Sequence, residues 1–207
     1  TMLAIDNSLE DAGRTVSAII ADGILPATLE ILDKLTTKAG EESVHAGFPL
    51  DAEAVLLIEI DGLKDGMERL AERIMEICRK NNAREVKSAK TEAERIQLWA
   101  GRKGAFGAIS RLRPNYLVCD GTVPRTKLPE VLVQVMEVSK KYGLTIANVF
   151  HAGDGNLHPL ILFDERDEEE LRKVHLAGSE IMKLCADAGG TISGEHGVGT
   201  EKMKEMF

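Results

Sequence analysis

No apolar run in this sequence approaches the roughly 20 residues that a membrane-crossing helix needs. The longest aliphatic stretches, such as Val55 to Ile58, have the length of buried strands. There are only three cysteines, Cys78, Cys119 and Cys185, and none forms a Cys-x-x-Cys pair. That excludes a disulfide framework and the cysteine spacing of an iron–sulfur protein. Cys78 and Cys185 fall on apolar helix stripes, so they read as buried free thiols, which favours a reducing compartment. Positive charge is not in excess. The 26 Lys and Arg against 34 Asp and Glu give a net charge of −8, which argues against binding a phosphate backbone as the main activity. There is no Walker A sequence, no G-x-G-x-x-G after a strand, no nucleophile elbow and no Ser-His-Asp order. The chain opens at Thr1-Met2 without a signal peptide and stops at Met206-Phe207, inside what reads as a new helix from Thr200. The expectation is a piece of a larger protein.

What is present is an ordinary globular mix, 207 residues with 43% hydrophobic and 29% charged. No Ser-, Pro- or Gly-rich linker divides it, so residues 1–207 read as one continuous domain. Thr1 to Ile5 is a short apolar run. Ser8 then caps a helix on which Leu9, Ala12, Val16 and Ile19 recur at helical spacing, with Asp11 in a capping box and Gly23 at its end. Pro26 to Asp33 leads into a short segment closing at Gly40, and Glu41 to Gly47 reads as a loop. Val55 to Ile60 is a strand, Met67, Leu70, Ile74 and Ile77 mark a helix face, and Arg84 to Ser88 is another strand. Ile5-Asp6-Asn7-Ser8-Leu9 resembles Ile60-Asp61-Gly62-Leu63 about 55 residues later, each opening a helix. This repeated strand–helix–strand pattern implies an α+β fold: a ferredoxin-like duplicated antiparallel sheet with helices packed on one face. Further on, Thr91 to Leu112 is helical and carries Trp99 and Arg102. Asn115 to Val123 is a strand, Thr126 to Tyr142 a helix, Leu144 to Phe150 and Leu157 to Phe163 strands around a tight turn, and Asp167 to Ala188 a helix stopped by Gly189-Gly190.

Two segments break this pattern. In the first, His151-Ala-Gly-Asp-Gly-Asn-Leu-His158, the pair Asp154-Gly155 favours a two-residue type I′ turn. Counting outward from that turn sets His151 opposite His158 on one sheet face, with Cβ atoms about 4.5–5.5 Å apart. Their neighbours on that face, Ala147, Val149, Leu160 and Leu162, are apolar, and chelation of a divalent metal is the simplest reason for two imidazoles there. In the second, Ser193-Gly194-Glu195-His196-Gly197-Val198-Gly199, Gly194 and Gly197 allow a tight path that thrusts Glu195 and His196 into a site with diverging side chains. His151, His158 and Glu195 make a catalytic zinc-type ligand set with an open position, and His196 is placed as a general base. Asp154 reads as structural. Asn156 either caps the turn or touches a ligand. His45 and His175 read as solvated.

His151-Ala-Gly-Asp-Gly-Asn-Leu-His158 together with Gly194-Glu-His-Gly-Val-Gly199 resembles the C-terminal domain of FAD-linked oxidases of the vanillyl-alcohol-oxidase type. Within it the likeness is to flavin subunits of bacterial glycolate oxidase, with D-lactate and D-2-hydroxyglutarate dehydrogenases as relatives. Gly23 to Asp33, Leu98-Trp-Ala-Gly-Arg102 and Cys119 to Pro129 match as well, so the resemblance covers nearly the whole chain. It implies that His151, His158 and Glu195 hold a divalent metal, zinc or a similar ion, and that His196 removes the hydroxyl proton. It also implies that Arg102 binds the substrate carboxylate; from the residues alone Arg102 is a helix-surface charge. The implied reaction oxidises a small D-2-hydroxy acid, with hydride passing to FAD, which an upstream domain binds. That domain and the family's final tail are not in this sequence. Where hydroxyglutarate enzymes offer a polar contact two residues past the second histidine, Leu160 stands, which fits a short substrate such as glycolate or lactate. Further implied partners are other glycolate oxidase subunits, one with iron–sulfur clusters, in the cytoplasm at the inner face of the membrane. Two other readings fit the same residues: a self-contained metallohydrolase, and a small-molecule binding module whose histidines only structure a hairpin.

Overall fold

The computed structural model describes residues 1–206. Phe207, which the sequence places in a new helix, lies outside them; Met203–Met206 form a 3-10 turn instead of an α-helix.

β1 (Met2–Asp6) runs into α1 (Leu9–Ala21). Ser8 Oγ accepts the Asp11 N–H at 3.0 Å, a cap worth about 1 kcal/mol. Ala12, Val16 and Ile19 are buried beneath the helix, as their spacing predicts. The segment read only as a lead toward Gly40 forms two elements, β2 (Thr28–Asp33) and α2 (Lys34–Val44). β2 is enclosed on both faces, Glu30 and Asp33 included, so it lacks the polar alternation by which a half-buried strand is recognised. The expected loop starts only at His45, which ends α2 in the left-handed conformation. β3 (Ala54–Glu59), α3 (Lys64–Lys80) and β4 (Glu85–Ser88) follow. The four strands lie antiparallel in the order β4-β1-β3-β2, two strand–helix–strand halves interleaved in the ferredoxin-like manner.

After α4 (Glu92–Ile109) the scheme recurs. The strand expected over Asn115 to Val123 is two pieces, β5 (Asn115–Val118) and β6 (Gly121–Thr122), interrupted at Cys119 and Asp120. α5 (Leu128–Tyr142) and β7 (Thr145–His151) come next. The return strand is also broken, into β8 (Asn156–Leu157) and β9 (Pro159–Phe163), with His158 at the break. α6 (Glu168–Asp187) closes the unit, and Thr191 bridges to Thr122 where a fourth strand would lie. The two units share one sheet through β2 and β7. The duplication therefore exists at two levels, within the first unit and between the units.

α1, α3, α5 and α6 cover one face of the sheet over a large core, as the one-faced expectation has it. α2 and α4 add a second layer on the opposite face, against Leu3, Leu32, Leu57, Val149 and Leu160. The cause is visible in β1, which is buried at every residue, and in β3, buried at all but its last. Strands apolar on both sides need cover on both sides. All three cysteines are free and buried, and burial pushes each thiol up to about 12.

Asp6, at the end of β1, is fully buried and neither carboxylate oxygen has a hydrogen-bond partner. Burial, assisted by Asp11, raises its pKa to about 7. An acid whose folded-state pKa lies above its unfolded value costs no stability below about pH 4, and the cost grows as pH rises through about 7. A rise of that size corresponds to at most about 4 kcal/mol. Asp6→Asn is expected to recover about 2 kcal/mol at pH 8 and little at pH 4. Urea unfolding at the two pH values measures this; an equal change at both would show that folding does not raise the pKa of Asp6.

Candidate functional site

The antiparallel pairing of β2 with β7 sets Glu30 directly across from His151. Opposed residues share a face, and His151 Nδ1 lies 2.8 Å from Glu30 Oε1. Nε of Arg102, reaching in from α4, donates to Glu30 Oε2 at 2.8 Å, and Nη2 forms an ion pair with the same oxygen at 2.8 Å. Arg102 is 7% exposed, so it is an interior charge and not the helix-surface charge its spacing alone implies. Removing one partner from such a buried pair costs about 3–5 kcal/mol. The Glu30 hydrogen bond raises the pKa of His151, against opposing contributions from burial and from Arg102.

The hairpin differs from the two-residue turn expected at Asp154-Gly155. A four-residue loop over 152–155 is closed by the pair His151 and Asn156. Of the two expected turn residues only Gly155 has positive φ, 74°. A Cβ there would stand 2.2 Å from the Val123 carbonyl oxygen. Gly155 O accepts the Val123 N–H and Leu29 O accepts the Gly153 N–H, so neighbouring backbone shapes this loop more than its own turn preference does. The register is offset by two residues from the expected one. Side chains alternate with a period of two, so a two-residue offset keeps both histidines on the same face. The rings still meet edge to face, centroids 5.2 Å apart. His158 sits in the break between β8 and β9, almost fully enclosed, and its Nδ1 has no hydrogen-bond partner. Burial lowers its pKa, with His151 acting in the same direction.

The Glu195-His196 segment is held by Asp120, which occupies the break between β5 and β6. The fully buried Asp120 carboxylate accepts from the backbone N–H groups of Gly194 at 3.1 Å, Glu195 at 3.2 Å and His196 at 2.8 Å, and from Ser193 Oγ at 2.9 Å. Lys202 Nζ lies 3.5 Å away. Burial opposes ionisation of Asp120, but these donors outweigh it and hold the pKa down to about 2. Consecutive N–H groups curled around one anion form a nest. The two side chains expected to diverge are thereby brought together: His196 Nε2 is 3.5 Å from Glu195 Oε1. The His196 ring stacks on His158, centroids 5.0 Å apart and planes 14° from parallel. Gly194 is needed for this approach, since a Cβ there would lie 2.5 Å from Asn156 Oδ1. Asn156 is itself buried, with Nδ2 3.5 Å from His158 Nε2.

Three imidazole nitrogens thus surround one carboxylate oxygen. Glu195 Oε1 lies 3.0 Å from His158 Nε2, 3.5 Å from His196 Nε2 and 3.8 Å from His151 Nε2. Ligands bound tetrahedrally at zinc–nitrogen distances stand about 3.3 Å from one another. The donor types and their spacing fit a divalent cation. Asp120, His158, Glu195 and His196 also form a compact group of possible ligands. Asp120 Oδ2 is already taken by four donors, which makes Asp120 the anchor of the loop. Asp120 and Glu30 are the residues that sequence reasoning does not assign. The one local signal for each is an acid within or directly after an apolar run. His45 and His175 are exposed, as expected.

Residues 1–207 match the family described as FAD linked oxidases, C-terminal domain. The chain belongs to that family. The glycolate oxidase subunit GlcD of Escherichia coli is 49% identical over 99% of this chain and 41% of its own length. The GlcD subunit of Bacillus subtilis is 43% identical over 98% of the chain and 43% of its length. A mitochondrial D-lactate dehydrogenase (cytochrome) of Arabidopsis thaliana is 28% identical over 96% and 35%. This FAD-linked oxidase domain therefore spans about two-fifths of the curated relatives it matches. Among solved structures, p-cresol methylhydroxylase with substrate bound superposes with a TM-score of 0.69 at 12% identity, covering 99% of this chain and 46% of that one. That likeness shows the shared fold.

Asp120→Asn replaces a charged acceptor with a neutral amide oxygen, which roughly halves the strength of the hydrogen bonds at Oδ2. Zinc affinity, read by competition with a chromophoric chelator, is expected to fall about 10–100-fold. Wild-type affinity in the variant would contradict the anchoring role.

Proposed function

We propose that this chain is the substrate- and metal-binding domain of a flavin-dependent D-2-hydroxy-acid oxidoreductase, with glycolate as the substrate and glyoxylate as the product. The observation that carries the reading is the convergence of His151, His158 and His196 on Glu195 in a chain belonging to the FAD-linked oxidases. His151, His158 and Glu195 would hold a divalent cation, zinc by its ligand types. Such a cation supplies Lewis-acid polarisation and FAD supplies the hydride acceptor when each is bound. The chain's own residues do the rest. Arg102, fixed by Glu30, takes the substrate carboxylate, and Asn156 lines the same side. His196 Nε2 accepts the hydroxyl proton and, with its side chain 46% exposed, passes it to solvent. Leu160, apolar and fully buried on the His158 side of the sheet, offers a longer substrate no polar contact. The identity to the GlcD subunits favours glycolate; D-lactate is the second candidate, after the more distant D-lactate dehydrogenases.

The short coverage of the relatives supports a longer flavoprotein whose FAD-binding domain precedes this one, with the chemistry absent from the isolated domain. Partner subunits, an iron–sulfur subunit among them, and a cytoplasmic site of action at the inner membrane face belong to the same proposal. No helix among the described residues is long and apolar enough to cross a membrane.

In the full-length flavoprotein, His196→Ala is expected to lower kcat for glycolate about 10²–10⁴-fold, with FAD content and melting temperature unchanged. Unaltered turnover in a folded, flavin-loaded variant would overturn the role of His196.

A further inference from the structure

Glu30 is 5% exposed, and both of its oxygens are committed. Oε1 faces His151 Nδ1 at 2.8 Å, and Oε2 accepts Nε–H of Arg102 and pairs with its Nη2, each at 2.8 Å. The residues it joins come from separate elements: His151 from the end of β7, Arg102 from α4 in the second layer. On the proposed function, which this inference deepens, one holds the cation and the other the substrate carboxylate. We propose that Glu30 is a positioning residue that fixes both, setting the tautomer and orientation of His151 and the guanidinium plane of Arg102 in one frame.

The chemistry follows from the donor inventory. A neutral imidazole has one N–H and one lone pair. With Nδ1–H given to Glu30, the lone pair stands on Nε2, the nitrogen that lies 3.8 Å from Glu195 Oε1. A carboxylate behind a metal-binding histidine fixes the ring and raises its basicity. Glu30 also supplies the negative charge that lets Arg102 sit beside a cation site. Without that charge a buried guanidinium would face His151 uncompensated, and the site would repel the cation it is built to hold. Cation and carboxylate would then approach as a pair set by one residue, at the distance one side chain imposes.

The experiment uses Glu30→Gln and Glu30→Asp, with a His151→Ala variant and the double variant His151→Ala/Glu30→Gln. Two readouts are taken on the purified chain: zinc affinity by chelator competition, and the His151 ring tautomer by nitrogen-15 NMR without metal at pH 8.5. Glu30→Gln is expected to lower zinc affinity about 10–100-fold and to erase the preference for Nδ1–H. The double variant should bind more weakly than His151→Ala alone by less than the loss that Glu30→Gln causes by itself, because the contribution made through the ring is already gone and only the charge that offsets Arg102 remains. Glu30→Asp, which keeps the charge on a shorter arm, should recover part of the affinity. If wild type bound no zinc, the metal reading would fail while the tautomer still decided the role of Glu30. An unchanged tautomer in folded Glu30→Gln, or additive losses in the double variant, would overturn the proposal.

Discussion

One buried carboxylate organises the site. Asp120 collects three successive backbone N–H groups and the Ser193 hydroxyl, and so curls the 193–196 segment toward the sheet. Hydrogen bonds to a charged acceptor are about twice as strong as neutral ones. Four of them on a group held ionised down to about pH 2 make a persistent anchor. Everything that Glu195 and His196 can do depends on it. Without the Asp120 side chain, that exposed segment would be held near the histidines by the Thr122–Thr191 bridge, the bond from Gly194 N–H to the Asp120 carbonyl and the stacking of His196 on His158.

The sheet makes room for this anchor by failing to pair continuously. β5 and β6 are interrupted at Cys119 and Asp120, and β8 and β9 at His158. The breaks lie side by side: Cys119 N–H donates to Pro159 O across them. A strand residue ordinarily sends its side chain to one face and spends its backbone on the ladder. At these breaks Asp120 and His158 lie enclosed in the sheet and facing the loop, their Oδ1 and Nδ1 4.0 Å apart. Helices on both faces cover the apolar sheet around these breaks. The result is a polar site built inside an apolar sheet, entered from the exposed side of Glu195 and His196.

Much of this was legible in the sequence because it is local. The paired histidines, the Gly-Glu-His-Gly loop, the Ser8 cap and the stripes of α1 and α6 are written in consecutive residues. The ferredoxin-like pattern followed from repeated strand–helix–strand order, although the second level of duplication was hidden by the broken strands. What was not legible depends on contacts far apart in the chain. Glu30 meets His151 across 121 positions, and Asp120 meets His196 across 76. β2 escaped notice because burial on both faces removes alternation. The hairpin was read from its own turn residues, whereas Leu29 and Val123 set its shape. The histidine pairing survived that misreading only because the offset was an even number of residues.

The central claim is that His151 from β7, His158 from the β8–β9 break and Glu195 form one cation site, with His196 beside it. Elemental analysis of the tag-free chain after zinc loading and removal of excess ion, wild type beside His151→Ala/His158→Ala, tests it most directly. The account predicts about one equivalent of zinc in wild type and none in the variant. Equal zinc in both, or none in wild type even with glycolate present, would contradict it.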